Sequence, residues 1–334
     1  MRLAQLIHPE EGRKLVLVEE PNLRIISGFT SVHALATEAM TYDGDITALI
    51  MQNLTDTIME YDPIYAGDSD WKLLPSFDQP SAPLSTMISG TGLTHKASAD
   101  NRQKMHKAQK TNELTDSMKM YLMGLEGGHP KTGRVGVQPE WFYKGNGSVL
   151  RGHNEVLEIP SYGEDGGEEP EVAGIYINDS EGKPWRVGFT TANEFSDHIM
   201  EQRNYLYLAP SKIRNCAIGP ELVINSTFDD ISGKVKIIRN KEVVWDKAIK
   251  TGEKNMAHSL DNLEYHHFKY ANHRVPGQGH IHFYGADAFS FGAQFNLLAG
   301  DIMQVGWEAM GRPLRNKLLK EPPADKDIEI GKFS

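Results

Sequence analysis

Five carboxylates fall within eight residues at Glu164-Asp165-Gly166-Gly167-Glu168-Glu169-Pro170-Glu171, and the segment runs straight into the apolar stretch Val172-Ala173-Gly174-Ile175-Tyr176-Ile177. Glu169 and Glu171 are two positions apart, so on a strand their side chains share a face. Two carboxylates brought together at the edge of a buried sheet repel each other, and each loses hydration. A divalent cation removes both penalties. Hard oxygen ligands of this kind suit Mg²⁺, Mn²⁺ or Ca²⁺ better than zinc. Two carboxylates rarely complete such a site, so a third is expected from elsewhere. Glu164, Asp165 and Glu168 read as a solvated approach to it.

The charge distribution supports this focus. The chain has 334 residues and a formal net charge of −10, and between Gly152 and Gly182 it carries nine acids and no Lys or Arg. Removing those nine leaves −1 for the rest of the chain. An acidic balance without a basic block argues against nucleic acid as a partner. No run approaches the ~18 apolar residues that a membrane helix needs, and charge follows Met1 too early for a signal-peptide core. The single cysteine, Cys216, rules out an intrachain disulfide and fits a reducing cytoplasm. It has no activating neighbour in sequence, so a nucleophilic role is not expected. Six of the thirteen histidines lie between His258 and His282. His280-x-His282 has the spacing of a metal pair on a strand, and it reads better as packed, hydrogen-bonded structure.

The elements that must carry these groups are short. Leu15 to Glu19 predicts a strand, and Ser31 caps a predicted helix to about Met40. Apolar residues at three- and four-residue spacing predict a second helix from Asp45 to about Glu60. A Pro-, Ser- and Gly-rich stretch then separates a small N-terminal domain, residues 1–80, from a domain over 81–320, with a poorly packed tail over 321–334. Leu114, Met118, Tyr121, Leu122 and Leu125 mark a helix stopped by Gly127-Gly128. Val172 to Ile177 is a buried strand. Gly188 to Thr191 is another, leading into a helix with Phe195, Ile199, Gln202 and Leu206 on one face. Val235 to Trp245 predicts a hairpin turning near Asn240-Lys241. His280 to Tyr284 and Ile302 to Trp307 are strands. Strands and helices without regular alternation favour an α+β fold.

Taken in order, Glu169-x-Glu171, Gly188-Phe189-Thr190-Thr191-Ala192-Asn193-Glu194-Phe195-Ser196, Lys212 and Leu298-Ala299-Gly300-Asp301-Ile302 resemble the core of the fumarylacetoacetate hydrolase superfamily. The resemblance covers roughly Ser89 to Arg312. It implies a mixed β-sandwich roll, a homodimer, and Mg²⁺ or Mn²⁺ held by Glu169, Glu171 and Glu194 with Lys212 beside them. Gly92-Leu93-Thr94-His95 resembles the segment that supplies a catalytic His. Two departures stand out: Glu194 occupies a position where the family has Asp, and His198-Ile199 replaces its Arg-Asp. Together with Gly136 to Phe142 and the His280 strand, they resemble a sugar-acid branch that includes 2-keto-3-deoxy-pentonate dehydratases.

That resemblance implies a small anionic 2-keto acid as substrate. The cation would stabilise an enolate, allowing loss of a C3 proton and then of the C4 hydroxyl. His95 is the candidate base or water activator, and Lys212 the candidate group on the substrate oxyanion. Glu140, Lys144 and Thr191 are the candidate substrate contacts, with Glu140 and Lys144 towards its distal end. The same platform would serve a hydrolase of 2,4-diketo acids, or a sugar-acid binding protein without turnover.

Overall fold

The buried strand at Val172 owes its unbroken apolar character to having a protein layer on each face. The computed structural model describes residues 1–106, 114–322 and 328–333. All nine residues of the strand Pro170–Asn178 are buried. One of its faces presents Ala173, Ile175 and Ile177 to Leu35 and Ile50 of the helices Val32–Met40 and Ile46–Asn53. The other presents Val172 to Val305 and Trp307 of a second sheet.

Among the described residues the larger sheet has twelve strands and the smaller five. Along the larger sheet the order is Leu54–Glu60, Asn22–Ile26, Gly12–Glu19, Arg2–His8, Cys216–Val223, Pro184–Asn193, Pro170–Asn178, Gly279–Phe283, Thr86–Gly90 and Phe142–Asn146. The smaller runs Glu242–Thr251, Ile231–Arg239, Ile302–Trp307, Leu314–Lys320 and Val156–Ile159. Helices and mixed-direction strands make this the expected α+β architecture. Pairing of Arg2 with Val223 joins the N-terminal strands to the central sheet directly. No helix among the described residues is long and apolar enough to cross a membrane.

Several local expectations hold. Ser31 Oγ accepts from the Ala34 N–H and caps the helix Val32–Met40. Asn240 and Lys241 both have positive φ, 52° and 71°, as a two-residue hairpin turn requires. Two expected helices are shorter than their apolar spacing suggests. The second ends at Asn53, and Leu54–Glu60 is a strand paired with Asn22–Ile26. Thr55 and Thr57 favour that strand, and Ile58, read as part of a buried helical face, is 53% exposed. The other helix, His198–Arg203, stops before Asn204, whose side chain caps the separate turn Tyr205–Tyr207. Phe195 lies outside it, in the loop. Residues 323–327 of the expected tail lie outside the described residues.

Candidate metal centre

The register of two strands builds the cluster. Glu171 lies opposite Ala192, and the Glu194 N–H donates to the Glu169 carbonyl at 3.0 Å. Strand alternation therefore turns Glu169, Glu171 and Glu194 to one face. One carboxylate oxygen from each lies within 4.8 Å of the others, and all three residues are buried. Asn193 fixes the turn that delivers Glu194, because its Oδ1 accepts from the N–H groups of Glu169 and Phe195, each at 3.2 Å. A reciprocal pair of 3.0 Å backbone bonds between Gly167 and Ser196 ties the acidic segment to the same turn.

Among the described residues two lysines reach the glutamates. Lys212 Nζ donates to Glu169 Oε1 at 2.7 Å, Glu194 Oε2 at 2.6 Å and Ser196 Oγ at 2.8 Å, and Glu201 Oε1 is 3.2 Å away. Those three glutamates outweigh burial and hold the Lys212 ammonium well above its ordinary pKa. Lys144 Nζ donates to the Phe195 carbonyl and lies 2.7 Å from Glu194 Oε1. That second contact is close but poorly directed, so Glu194 Oε1 has a neighbouring charge and no aligned hydrogen bond. Lys144 is fully buried against the cluster and sits beside Glu194. Burial pushes its pKa down.

A further layer was not legible in the sequence. His198 Nε2 lies 3.1 Å from Glu169 Oε1, and its ring stacks on Phe289 at 4.6 Å. Arg102 donates to Glu140 Oε1 at 2.8 Å and approaches Glu201 Oε2 at 3.7 Å. Glu168 is a correction. It is fully buried, not solvated, and its carboxylate accepts from the Ser290 N–H at 2.6 Å and from Ser290 Oγ at 2.7 Å. Thr191 is another. It pairs with Val172, one step out of phase with Glu171, so its side chain lies on the opposite face from the glutamates.

The electrostatics leave room for a cation. Among the described residues six glutamates are buried here (Glu140, Glu168, Glu169, Glu171, Glu194 and Glu201) against three full cations, Arg102, Lys144 and Lys212. Burial opposes ionisation of Glu169, but Lys212 and His198 outweigh it and hold that carboxyl well below the usual range. Glu171 goes the other way: burial, then repulsion from Glu169 and Glu194, holds it well above. Burial also raises Glu194 against the pull of both lysines. A carboxyl forced towards its neutral form by two carboxylates is where a divalent ion gives most relief. The donor set, all hard oxygen with an excess of negative charge, fits Mg²⁺ or Mn²⁺.

His95 is linked to Glu171 through Thr94 and the Tyr284–Gly285 peptide. It is buried, and burial pushes its pKa down to about 3. Among the described residues its Nε2 has no hydrogen-bond partner, and neither does Glu140 Oε2, which lies against Gly92 of the same segment. Burial raises the Glu140 carboxyl despite Arg102. His280 and His282 are structural, as expected: His280 Nδ1 bonds His267 Nε2 at 3.0 Å, and His282 bonds the hydroxyls of Ser89 and Thr91. Burial lifts the Cys216 thiol to about 12, in keeping with no nucleophilic role.

With this geometry in hand, the chain can be set beside known proteins. No family model matches it. It is similar to a 2-dehydro-3-deoxy-D-arabinonate dehydratase of Saccharolobus solfataricus, at 34% identity over 125 residues, covering 35% of this chain and 40% of the relative. It is similar also to a probable 2-keto-3-deoxyxylonate dehydratase of Haloferax volcanii, at 32% identity over 131 residues, covering 38% and 43%. The chain thus spans less than half the length of the curated relatives it matches. A solved structure of 2-keto-3-deoxyarabinonate dehydratase superposes with a TM-score of 0.71 at 19% identity, covering 96% of this chain and all of that one. The fold is that of the 2-keto-3-deoxyarabinonate dehydratases. Another structure of that enzyme, complexed with magnesium and 2,5-dioxopentanoate, superposes with a TM-score of 0.69 over 96% of this chain and 99% of that one. The expected fumarylacetoacetate-hydrolase-like fold is therefore the one found, and the relatives matched in sequence are sugar-acid dehydratases.

Proposed function

We propose that this protein dehydrates a 2-keto-3-deoxy-pentonate to 2,5-dioxopentanoate (2-ketoglutarate semialdehyde) with Mg²⁺ held by Glu169, Glu171 and Glu194. The observation that carries the reading is a buried three-glutamate cluster joined, through Thr94 and the Tyr284–Gly285 peptide, to His95, whose Nε2 has no hydrogen-bond partner among the described residues. A sugar-acid dehydratase among the partial relatives supports the substrate class.

When bound, the cation would stabilise the negative charge that develops on the 2-keto oxygen as C3 loses its proton. His95 Nε2, neutral and unpartnered, takes that proton. Glu140 is the candidate acid. Burial raises its carboxyl, which favours proton donation, and Oε2, unpartnered among the described residues, would deliver a proton to the departing C4 hydroxyl as water forms. The unsaturated 5-hydroxy acid that results tautomerises to the aldehyde, with no carbon–carbon bond broken. Lys212 keeps Glu169 ionised and adds positive charge on the substrate's oxyanion side. Lys144 and Ser196 hold Glu194 in place. A homodimer and a cytoplasmic location, expected from the resemblance and from the single buried Cys216, complete the reading. Size-exclusion chromatography with light scattering tests the dimer.

The activity test is incubation with Mg²⁺ and each 2-keto-3-deoxy-pentonate, with product mass as the readout. Loss of one water with five carbons retained is expected. Cleavage of an acylpyruvate into two fragments, with the pentonates untouched, would instead assign a diketo-acid hydrolase.

A further inference from the structure

Tyr284 and Gly285 share one peptide unit, and its two ends serve two different parts of the site. The Gly285 N–H donates to Glu171 Oε2 at 2.6 Å. The Tyr284 carbonyl accepts from Thr94 Oγ1 at 2.7 Å. Thr94 Oγ1 also lies 2.9 Å from His95 Nδ1. A carbonyl can only accept, so the single Thr94 proton is committed to Tyr284. Towards His95 the hydroxyl has only a lone pair left. His95 Nδ1 must therefore carry the ring proton, and the unpartnered Nε2 is left as a bare lone pair.

We infer that Thr94 is a positioning residue that locks His95 in the Nδ1–H tautomer, and that the Tyr284–Gly285 peptide sets this base in register with the Glu171 ligand. All the groups involved are buried: Thr94, His95, Glu171 and Tyr284 are each no more than 1% exposed. Water therefore does not compete for the hydroxyl. Gly285 is required for the close approach. Its φ is +94°, and a Cβ there would fall 2.1 Å from Thr94 Oγ1. The role of His95 as base rests on the proposed dehydration; the tautomer itself does not.

The test separates the two. Protein with ¹⁵N-labelled histidine is examined by long-range ¹H–¹⁵N NMR, which tells a protonated ring nitrogen from a bare one. Wild type and T94S are expected to show His95 as Nδ1–H with Nε2 bare. T94V keeps the side-chain shape without the hydroxyl and is expected to lose that tautomer. Its kcat should fall about 10- to 100-fold with little change in KM, reaching at most the lower end of the ~10²- to 10⁴-fold that general-base catalysis contributes, and T94S should restore most of it. A wild-type His95 protonated on Nε2, or a T94V spectrum identical to wild type, would overturn the inference. Should wild type turn over no pentonate, the functional reading fails, and the tautomer still decides this one.

Discussion

Replacing Glu171 with Gln should make the cation-free protein more stable while abolishing its response to Mg²⁺. Gln keeps the shape of Glu and can still accept from the Gly285 N–H, so only the charge is lost. In wild type the Glu171 ligand atom lies within 4.8 Å of those of Glu169 and Glu194. At an effective dielectric constant of about 20, each such pair repels by roughly 3.5 kcal/mol or more when both members are ionised. Lys212 and Lys144 offset much of this, leaving an expected net gain of about 1–3 kcal/mol for the variant, a Tm rise of a few degrees. The sign with pH follows from the raised carboxyl. Its folded pKa exceeds the unfolded value, so wild type loses stability as pH rises from the unfolded pKa through the folded one, and the variant does not. The gap should thus widen from pH 5 to pH 8. Mg²⁺ at 100 times its Kd should stabilise wild type by about 2.7 kcal/mol and leave E171Q unmoved. Thermal denaturation with EDTA and with Mg²⁺, at both pH values, measures all four quantities. A variant less stable than wild type in EDTA at pH 8, or one that keeps the Mg²⁺ shift, refutes the charge argument.

Other outcomes follow from the same geometry. Lys212→Met removes a buried ammonium from among Glu169, Glu194 and Glu201, and should cost about 3–5 kcal/mol in denaturant melts, part of it recovered by Mg²⁺. His95→Asn should lower kcat by about 10²- to 10⁴-fold with calorimetric Mg²⁺ affinity unchanged; a matching loss of affinity would place His95 among the ligands. Burial holds His95, His280 and His282 down to about 3, so the unfolded chain takes up their protons first. Stability should fall steadily as pH drops from about 6.5 towards 3, and a flat profile through that window would show these rings are not buried as described. Gly285→Ala should weaken both Mg²⁺ binding and turnover, because one peptide serves Glu171 and Thr94.

Much of the centre was legible because its logic is local. Glu169 and Glu171 declared themselves through the two-residue period of a strand, and Glu194 and Lys212 through motif order. What stayed hidden depends on long-range partners. Glu168 in a Gly-Gly-Glu-Glu loop looks solvated until Ser290, 122 residues away, is seen to cap it. Arg102 gave no signal, because Glu140 and Glu201 meet it only in the fold. His198 was visible only as a departure from the family pattern, without its bond to Glu169. Thr191, a candidate substrate contact, faces away from the glutamates because successive strand residues point to opposite faces. The expected helix to Glu60 failed because apolar spacing continued past Asn53 while Leu54, Ile58, Met59 and Glu60 paired with the neighbouring strand.

The claim at the centre is that these three glutamates hold one divalent cation. Anomalous scattering from a crystal of the full chain soaked in Mn²⁺ tests it most directly. A single strong peak bonded to Glu169, Glu171 and Glu194 is expected, absent from crystals of E171Q. A peak at the histidine cluster around His267, or none between the glutamates at saturating Mn²⁺, would contradict it.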